Sequence, residues 1–136
     1  MPNTARGTFT VTLTPQPHVE GVGVGAPAFG RMALHKVFEG DMTGTAHGQM
    51  LALMTPTPGS AGYVAIEVVD ATLEGRHGTF ASQHSGVMTR GDKSLRIVIV
   101  PDSGTDDLAG IHGTFDIDLR DGQHFYVVDY DFSAGE

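Results

Sequence analysis

The sequence predicts an all-β fold, in which residues 1–136 form one domain that closes into an antiparallel barrel of eight strands. Three observations lead to this prediction. The 19 glycines and 7 prolines are spread along the chain and interrupt any long helix. Between these breaks apolar and polar residues alternate, and most of the breaks have the length and composition of tight turns.

Three segments show the clearest alternation. In residues 7–14, Phe9, Val11 and Leu13 fall on one face and four threonines fall on the other. Residues 94–100 and 114–120 repeat this period of two. Such segments, rich in β-branched and aromatic side chains, are typical of half-buried strands. Five further segments have strand composition and bring the number of predicted strands to eight: residues 31–39, 41–53, 62–73, 79–88 and 123–132.

The connections between the predicted strands are mostly short. Glycine-containing turns are predicted at residues 39–41, 74–78, 90–92 and 120–122. Links of this length join antiparallel neighbours, because a parallel pair needs a crossover of about a dozen residues or more. Eight antiparallel strands either pair as a sandwich or close into a barrel, and closure removes the exposed edges. The sequence therefore favours the barrel.

Two connections are longer and are predicted to be irregular. The first is a loop at about residues 15–28, whose glycines lack the Lys-Ser/Thr that follows in a phosphate-binding loop. The second, residues 101–110, contains Asp102, Asp106 and Asp107, but their spacing matches no calcium-binding loop. We expect these carboxylates to hydrogen-bond turn amides instead.

Composition excludes several classes of function. The formal charge of −8 and the scattering of the 8 Lys and Arg residues argue against nucleic-acid binding. No cysteine is present, which excludes thiolate chemistry and zinc–cysteine sites. No segment approaches the ~18 apolar residues of a membrane-spanning helix, and the N-terminus lacks the apolar core of a signal peptide. We therefore expect a cytoplasmic protein that does not associate with membranes.

Four motifs, in order, resemble a bacterial family known as domain of unknown function 3224. They are GSAGYVAIE at residues 59–67, GTFASQHSG at 78–86, VPDSGTDDLAG at 100–110 and HFYVVDY at 124–130. The resemblance extends from Gly7 to Phe132. The sequence departs from the family pattern at Asp106-Asp107, where Gly-Glu is expected, and this bears on the conformation of that connection.

The resemblance implies a barrel of the allene oxide cyclase type. The Ser-Gly-Thr, Leu-Ala-Gly and Gly-Thr-Phe sequences within residues 103–115 are similar to a strand-turn-strand of plant allene oxide cyclases and dirigent proteins. Those relatives hold small apolar molecules in the mouth of the barrel and guide a cyclisation or a coupling. A shared fold does not transfer an activity, so the resemblance supplies only a hypothesis about the kind of ligand.

Alternation assigns several polar side chains to the interior of the barrel, which has room for side chains or for one small ligand. On each strand, a polar residue at the same parity as the inward apolar residues also faces the interior. The polar residues assigned in this way are Lys36, Tyr63, Glu67, Ser82, His84, His124, Tyr126 and Tyr130. The assignment is weakest in residues 62–73, because Val64, Ile66 and Val68 are as apolar as the residues between them. A shift of one residue there would turn Glu67 outward.

The predicted interior set suggests a site as well as a structural alternative. We expect Lys36, Glu67, His84, His124 and Tyr126 to share one apolar chamber and to pair or shift their pKa values, since an uncompensated buried charge costs several kcal/mol. The hypothesis is that Glu67 or His84 acts as a base or hydrogen-bond donor. The predicted ligand-binding residues are Lys36, Tyr63, Ser82, His124, Tyr126 and Tyr130. The alternative is a Lys36–Glu67 pair, with His84 bonded to backbone, that fixes strand register.

The function predicted from these residues is binding of a small, largely apolar organic molecule without a cofactor. Two alternatives remain: an isomerase or cyclase of the allene oxide cyclase type, and a non-catalytic structural or interaction module. Glu67, His84 and His124 form a conceivable metal set, but the sequence has no His-x-His pair and we predict no metal. Because both faces of residues 62–73 are apolar, we expect the outer face to be covered either by a loop or by another subunit, and the second alternative predicts a homo-oligomer.

Overall fold

A computed structural model describes residues 3–16 and 28–133 and shows a closed antiparallel barrel of eight strands. Each strand pairs with the next along the chain, and the last closes the barrel on the first. The strands are β1 (Asn3–Gln16), β2 (Ala28–Gly40), β3 (Met42–Met54), β4 (Ala61–Leu73), β5 (Arg76–Thr89), β6 (Asp92–Ile99), β7 (Ile111–Arg120) and β8 (Gln123–Phe132). The predicted fold class is confirmed.

The irregular loop predicted at about residues 15–28 falls largely outside the described residues. Its first two positions, Pro15 and Gln16, belong to β1, and Ala28 belongs to β2, so the prediction is wrong at these positions. β1 is longer than its alternation indicated because it pairs with β2 as far as Gln16–Arg31, and β2 is longer because it pairs with β3 as far as Ala28–Met54.

Three hairpins turn at a pair of residues with positive φ. Glu74 and Gly75 have φ of 48° and 88°, and the same pattern occurs at Arg90-Gly91 and Asp121-Gly122. Two consecutive left-handed residues form a turn whose twist matches that of the flanking strands. Glycine in the second position adopts this conformation without the steric cost of a Cβ atom.

The two ends of the barrel differ in how well their interiors are filled. At the end that holds the turn between β2 and β3, Ala5, Met42 and Leu73 have no exposed surface. We call this the closed end. At the opposite end the inward side chains of Leu13 and Leu95 are 46% and 44% exposed. We call this end the mouth.

The connection between β6 and β7 covers the closed end. It contains a 3₁₀ turn (Asp106–Leu108) that buries Leu108, and the Thr105 amide donates to the Thr79 carbonyl at 2.8 Å. Asp106 has φ of 52°. This is the left-handed region that glycine adopts most easily, which explains why the family pattern leads one to expect glycine at this position.

Strands β6 and β7 separate towards the mouth. They pair at Ile97–Phe115 and Val98–Thr114, and the described residues show no further pairing between them. By contrast, β4 and β5 pair along their whole length, from Ala61–Met88 to Leu73–Arg76. The wall of the mouth therefore has its fewest backbone hydrogen bonds between β6 and β7.

The outer face of β4 is apolar. Val64, Ile66 and Val68 point outward and are each more than half exposed, and we call these three residues the outer strip. Gln83 is exposed on the neighbouring strand β5. Within residues 3–16 and 28–133 no helix has the length and apolar character needed to cross a membrane.

Candidate functional site

Glu67 is an interior residue of β4. It is 3% exposed and lies between the buried Ala65 and Val69, while the residues that alternate with them form the outer strip. Glu67 therefore faces the interior of the barrel, as the sequence analysis assumed for this strand. A carboxylate so far from solvent requires strong compensation from its neighbours.

Three side chains provide that compensation, and all three contact the same carboxylate oxygen. Lys36 Nζ and Ser82 Oγ each donate to Glu67 Oε1 at 3.1 Å. His84 Nε2 lies at the same distance from that oxygen. Ser82 and His84 sit on β5, where Ser82 pairs directly with Glu67. We call these four residues the polar cluster.

Lys36 reaches the cluster across an intervening strand. It lies on β2, Glu67 lies on β4, and β3 runs between them with Ala46 and Gly48 at the interior positions that pair with the two residues. A Cβ atom at Gly48 would come within 2.7 Å of the Glu67 Cβ. The small residues of β3 therefore leave the space through which Lys36 and Glu67 meet.

The polar cluster keeps Glu67 ionised. Burial alone would raise the pKa of Glu67, but the hydrogen bond from His84 and the positive charge of Lys36 together hold that pKa below its ordinary value of 4.5. The second carboxylate oxygen, Oε2, is buried and has no hydrogen-bond partner among the described residues. One oxygen is thus saturated while the other carries an uncompensated desolvation cost.

The ionised carboxylate determines the tautomer of His84. A carboxylate without a proton only accepts hydrogen bonds, so in the uncharged form of the imidazole the proton lies on Nε2 and is donated to Glu67. Nδ1 then carries the lone pair, and within residues 3–16 and 28–133 it has no hydrogen-bond partner. The arrangement joins a carboxylate to an imidazole whose remaining nitrogen can accept a proton.

Above the polar cluster, towards the mouth, lies a cavity of about 180 Å³. We call it the inner pocket. Lys36 and His84 form part of its wall, and the Lys36 ammonium lies 5.2 Å from the centre of the Phe9 ring. The remaining wall is made mainly of apolar residues, among them Val11, Leu13, Leu34, Met50, Ala65, Leu95 and Ile117. The pocket therefore combines an apolar wall with a small polar floor.

Tyr63 stands between the inner pocket and a second, wider cavity. Its ring occupies the space above Gly86, the residue paired with it on β5, where a Cβ atom would lie 2.3 Å from the ring. Burial, and secondarily the negative charge of Glu67, raise the pKa of Tyr63, so its hydroxyl stays protonated. The second cavity, about 320 Å³, shares Met50, Tyr63 and Leu95 with the inner pocket and is otherwise lined mainly by apolar residues. We call it the outer cleft.

The other predicted site residues fall into two groups. His124 lines the inner pocket and its ring centre lies 5.0 Å from that of Phe9, whereas Ser82 lies beneath the pocket with no exposed surface. Tyr126 and Tyr130 point towards the closed end instead. The Tyr126 hydroxyl accepts from the Met42 amide at 2.8 Å, and the Tyr130 hydroxyl donates to Glu74. The structure thus brings together Lys36, Tyr63, Glu67, Ser82, His84 and His124, and it separates these two tyrosines from them.

Sequence reasoning missed most of the apolar wall. Met50, Leu95 and Ile117 face the same pocket from three strands. Their alternation already assigned an inward orientation to Leu95 and Ile117, but no local signal distinguishes a wall residue from a core residue.

No group of three or more His, Asp or Glu side chains suited to a metal ion occurs in the part of the chain that the structure describes.

The barrel is closed, its interior is filled at one end, and at the other end it contains a pocket with a polar floor. These features place the protein in the class of eight-stranded β-barrels with an internal cavity at the mouth. The chain belongs to the family described as "Protein of unknown function (DUF3224)", which matches residues 5–130. It is similar to the crystal structure of a DUF3224 family protein of unknown function from Shewanella oneidensis, with 44% sequence identity and a TM-score of 0.95 over 99% of this chain and 100% of that chain. No curated protein matches the sequence.

Proposed function

We propose that this protein binds a small, largely apolar organic molecule in the inner pocket. The observation that carries the proposal is the presence of two buried polar groups, Lys36 and His84, on the wall of a mainly apolar cavity. The cavity volume of about 180 Å³ is slightly larger than the ~150 Å³ of an engineered cavity that accepts benzene. A ligand with one substituted ring matches this size.

The energetic cost of the polar cluster supports the proposal. A buried ion pair contributes little net stability compared with well-packed apolar residues. Here the carboxylate also leaves Oε2 without a partner among the described residues. Local arrangements that reduce stability are concentrated at functional sites. The structural alternative explains the Lys36–Glu67 pair, but it does not account for an open pocket directly above that pair.

The position of the outer cleft suggests how a bound ligand is oriented. It continues from the inner pocket at Met50, Tyr63 and Leu95. A polar group of the ligand fits next to Lys36, and an apolar substituent extends outward through the cleft. Burial of each additional methylene in such a cleft contributes about 0.8 kcal/mol.

A thermal-shift screen of small aromatic and aliphatic compounds tests the proposal. A compound present at about 100 times its Kd should raise the Tm by on the order of 10 °C. Ala65→Leu places a larger side chain into the inner pocket and should abolish the shift. Val64→Leu makes a substitution on the outer face of the same strand and should retain it. Equal shifts in both variants would contradict binding in the inner pocket.

A second candidate function is that of an isomerase or cyclase of the allene oxide cyclase type. The observation in its favour is the Glu67–His84 contact beside an ammonium group. Glu67→Gln keeps the shape of the side chain and removes its charge, so it should abolish turnover of an allene oxide while binding persists. Unchanged turnover would contradict this function.

The absence of cysteine is compatible with the cytoplasm, where we propose that the protein works.

A further inference from the structure

The floor of the inner pocket presents two polar groups of opposite character. Lys36 only donates hydrogen bonds, whereas the uncharged form of the His84 ring carries on Nδ1 a lone pair that Glu67 does not contact. Lys36 Nζ and His84 Nε2 both lie 3.1 Å from the same Glu67 oxygen, so the ammonium and the imidazole are neighbours. A ligand placed over the floor of the pocket therefore meets a donor and a base side by side.

An uncharged carbonyl compound with a hydrogen on its α-carbon matches this pair of groups. Its oxygen accepts a hydrogen bond from Lys36, and its α-hydrogen lies on the adjacent atom, on the side of His84. A carboxylate ligand fits less well. Glu67 already neutralises the charge of Lys36, and in apolar surroundings it would repel a second anion.

We propose, building on the binding function above, that the protein takes small neutral carbonyl compounds and catalyses exchange of their α-hydrogen. The α C–H bond breaks and its proton passes to Nδ1 of His84. The electron pair forms the carbon–carbon double bond of an enolate, whose oxygen carries the negative charge next to Lys36. When the proton on Nδ1 is replaced by one from solvent and that proton is delivered to the same carbon, an exchange is complete; delivery of a proton to a conjugated carbon gives an isomer. The cycle needs no oxidant and no reductant.

Glu67 is a positioning residue in this cycle. Its ionised carboxylate holds the proton of His84 on Nε2 and stabilises the imidazolium that forms when Nδ1 accepts a proton. Removal of a carboxylate with this role leaves the imidazole in the wrong tautomer and lowers the rate more than the affinity.

Acetophenone in D₂O provides the test. Its methyl hydrogens are α-hydrogens, and the decay of their proton NMR signal measures exchange directly. The wild-type protein should exchange them about a hundred times faster than His84→Gln, which lacks the base. His77→Gln, a matched substitution at an exposed position of the same strand, should exchange at the wild-type rate. Saturation-transfer NMR with acetophenone and with α-methylstyrene, its methylene analogue, measures binding separately.

The possible results distinguish the proposed exchange activity from the proposed binding function. If acetophenone binds but its methyl signal decays equally with wild-type protein and with His84→Gln, the exchange activity is overturned and binding stands. If neither compound binds, the proposal for carbonyl compounds fails, and the thermal-shift screen decides separately whether the inner pocket binds other molecules. Should His84→Gln not fold, Lys36→Met/Glu67→Gln replaces it. That double variant lacks the cation that stabilises the enolate, so wild-type exchange by it would overturn the activity.

Discussion

The ammonium of Lys36 on β2 and the carboxylate of Glu67 on β4 meet 3.1 Å apart across β3, the strand that lies between them. Ala46 and Gly48 on β3 leave room for this contact. It joins two strands that do not pair with each other and fixes both side chains at the floor of the inner pocket. The stability of this ion pair, the titration of Glu67 and the residues around the pair each lead to a testable prediction.

The first expectation concerns the buried pair itself. Lys36→Met should lower the free energy of unfolding by about 3–5 kcal/mol, because it leaves the Glu67 charge buried and unpaired. Lys36→Met/Glu67→Gln should recover most of that loss, because no buried charge remains. Lys93→Met, at an exposed lysine, should change stability by less than about 0.5 kcal/mol. Denaturant unfolding measures all three, and a double variant at least as unstable as Lys36→Met alone would contradict the pairing.

The acid stability of the protein should depend on Glu67. The pKa of Glu67 in the folded protein is lower than its ordinary 4.5. Its contribution to stability is therefore present above pH 4.5 and is lost as the pH falls through the lower folded value. Glu67→Gln should remove this part of the acid dependence. Unfolding free energies measured at several pH values between neutrality and the acid limit provide the check, and identical profiles for the two proteins would refute it.

The tyrosines should resist ionisation. Burial, together with the hydrogen bond to Glu74, raises the pKa of Tyr130 to about 12, and the pKa values of Tyr63 and Tyr126 are raised as well, mainly by burial. A raised folded pKa stabilises the protein fully below the ordinary value of 10.0 and ceases to do so as the pH rises through the folded value. Absorbance near 295 nm should show little phenolate at pH 10 until the protein unfolds. Tyr130→Phe should remove one third of the final amplitude, since the chain has 3 tyrosines.

The outer strip is expected to contact a second copy of the chain. The outward side chains beside it on β3 and β5 include His47, Gln49, Gln83 and Ser85, none of which is acidic, and Asp70, the carboxylate that follows Val68 on the same face of β4, is paired with His77. In a chain with a net charge of −8, this face is where two copies repel each other least. Sedimentation velocity should show a homo-oligomer that Ile66→Lys dissociates, while Leu119→Lys, an exposed apolar position elsewhere, leaves it intact. A monomeric wild-type protein at about 100 μM would contradict the prediction.

Much of the polar cluster could be predicted from the sequence. In a strand the side-chain period of two is a covalent property, so one buried neighbour is enough to orient a polar residue. Leu34 and Phe38 oriented Lys36 in this way, and Phe80 oriented Ser82 and His84. Even for Glu67, where both faces of the strand are apolar, the predicted parity is the one that the structure shows.

The same reasoning could not place Tyr126 relative to Tyr63. Both residues have inward parity, yet Tyr63 lines the inner pocket and the Tyr126 hydroxyl bonds to the Met42 backbone at the closed end. Parity identifies the face of a strand but not the height along the barrel axis. That height depends on the stagger between strands, which many long-range backbone pairs set together.

By itself, then, the sequence determined eight strands, their antiparallel order and the residues that face the interior, because turn chemistry and alternation are local properties. Only the tertiary structure decided which end of the barrel is filled, that β6 and β7 part beside Leu95, and that three donors from two strands meet on one oxygen of Glu67. Those features depend on how far each strand is shifted against its neighbours when the sheet closes, and no short stretch of sequence encodes that shift.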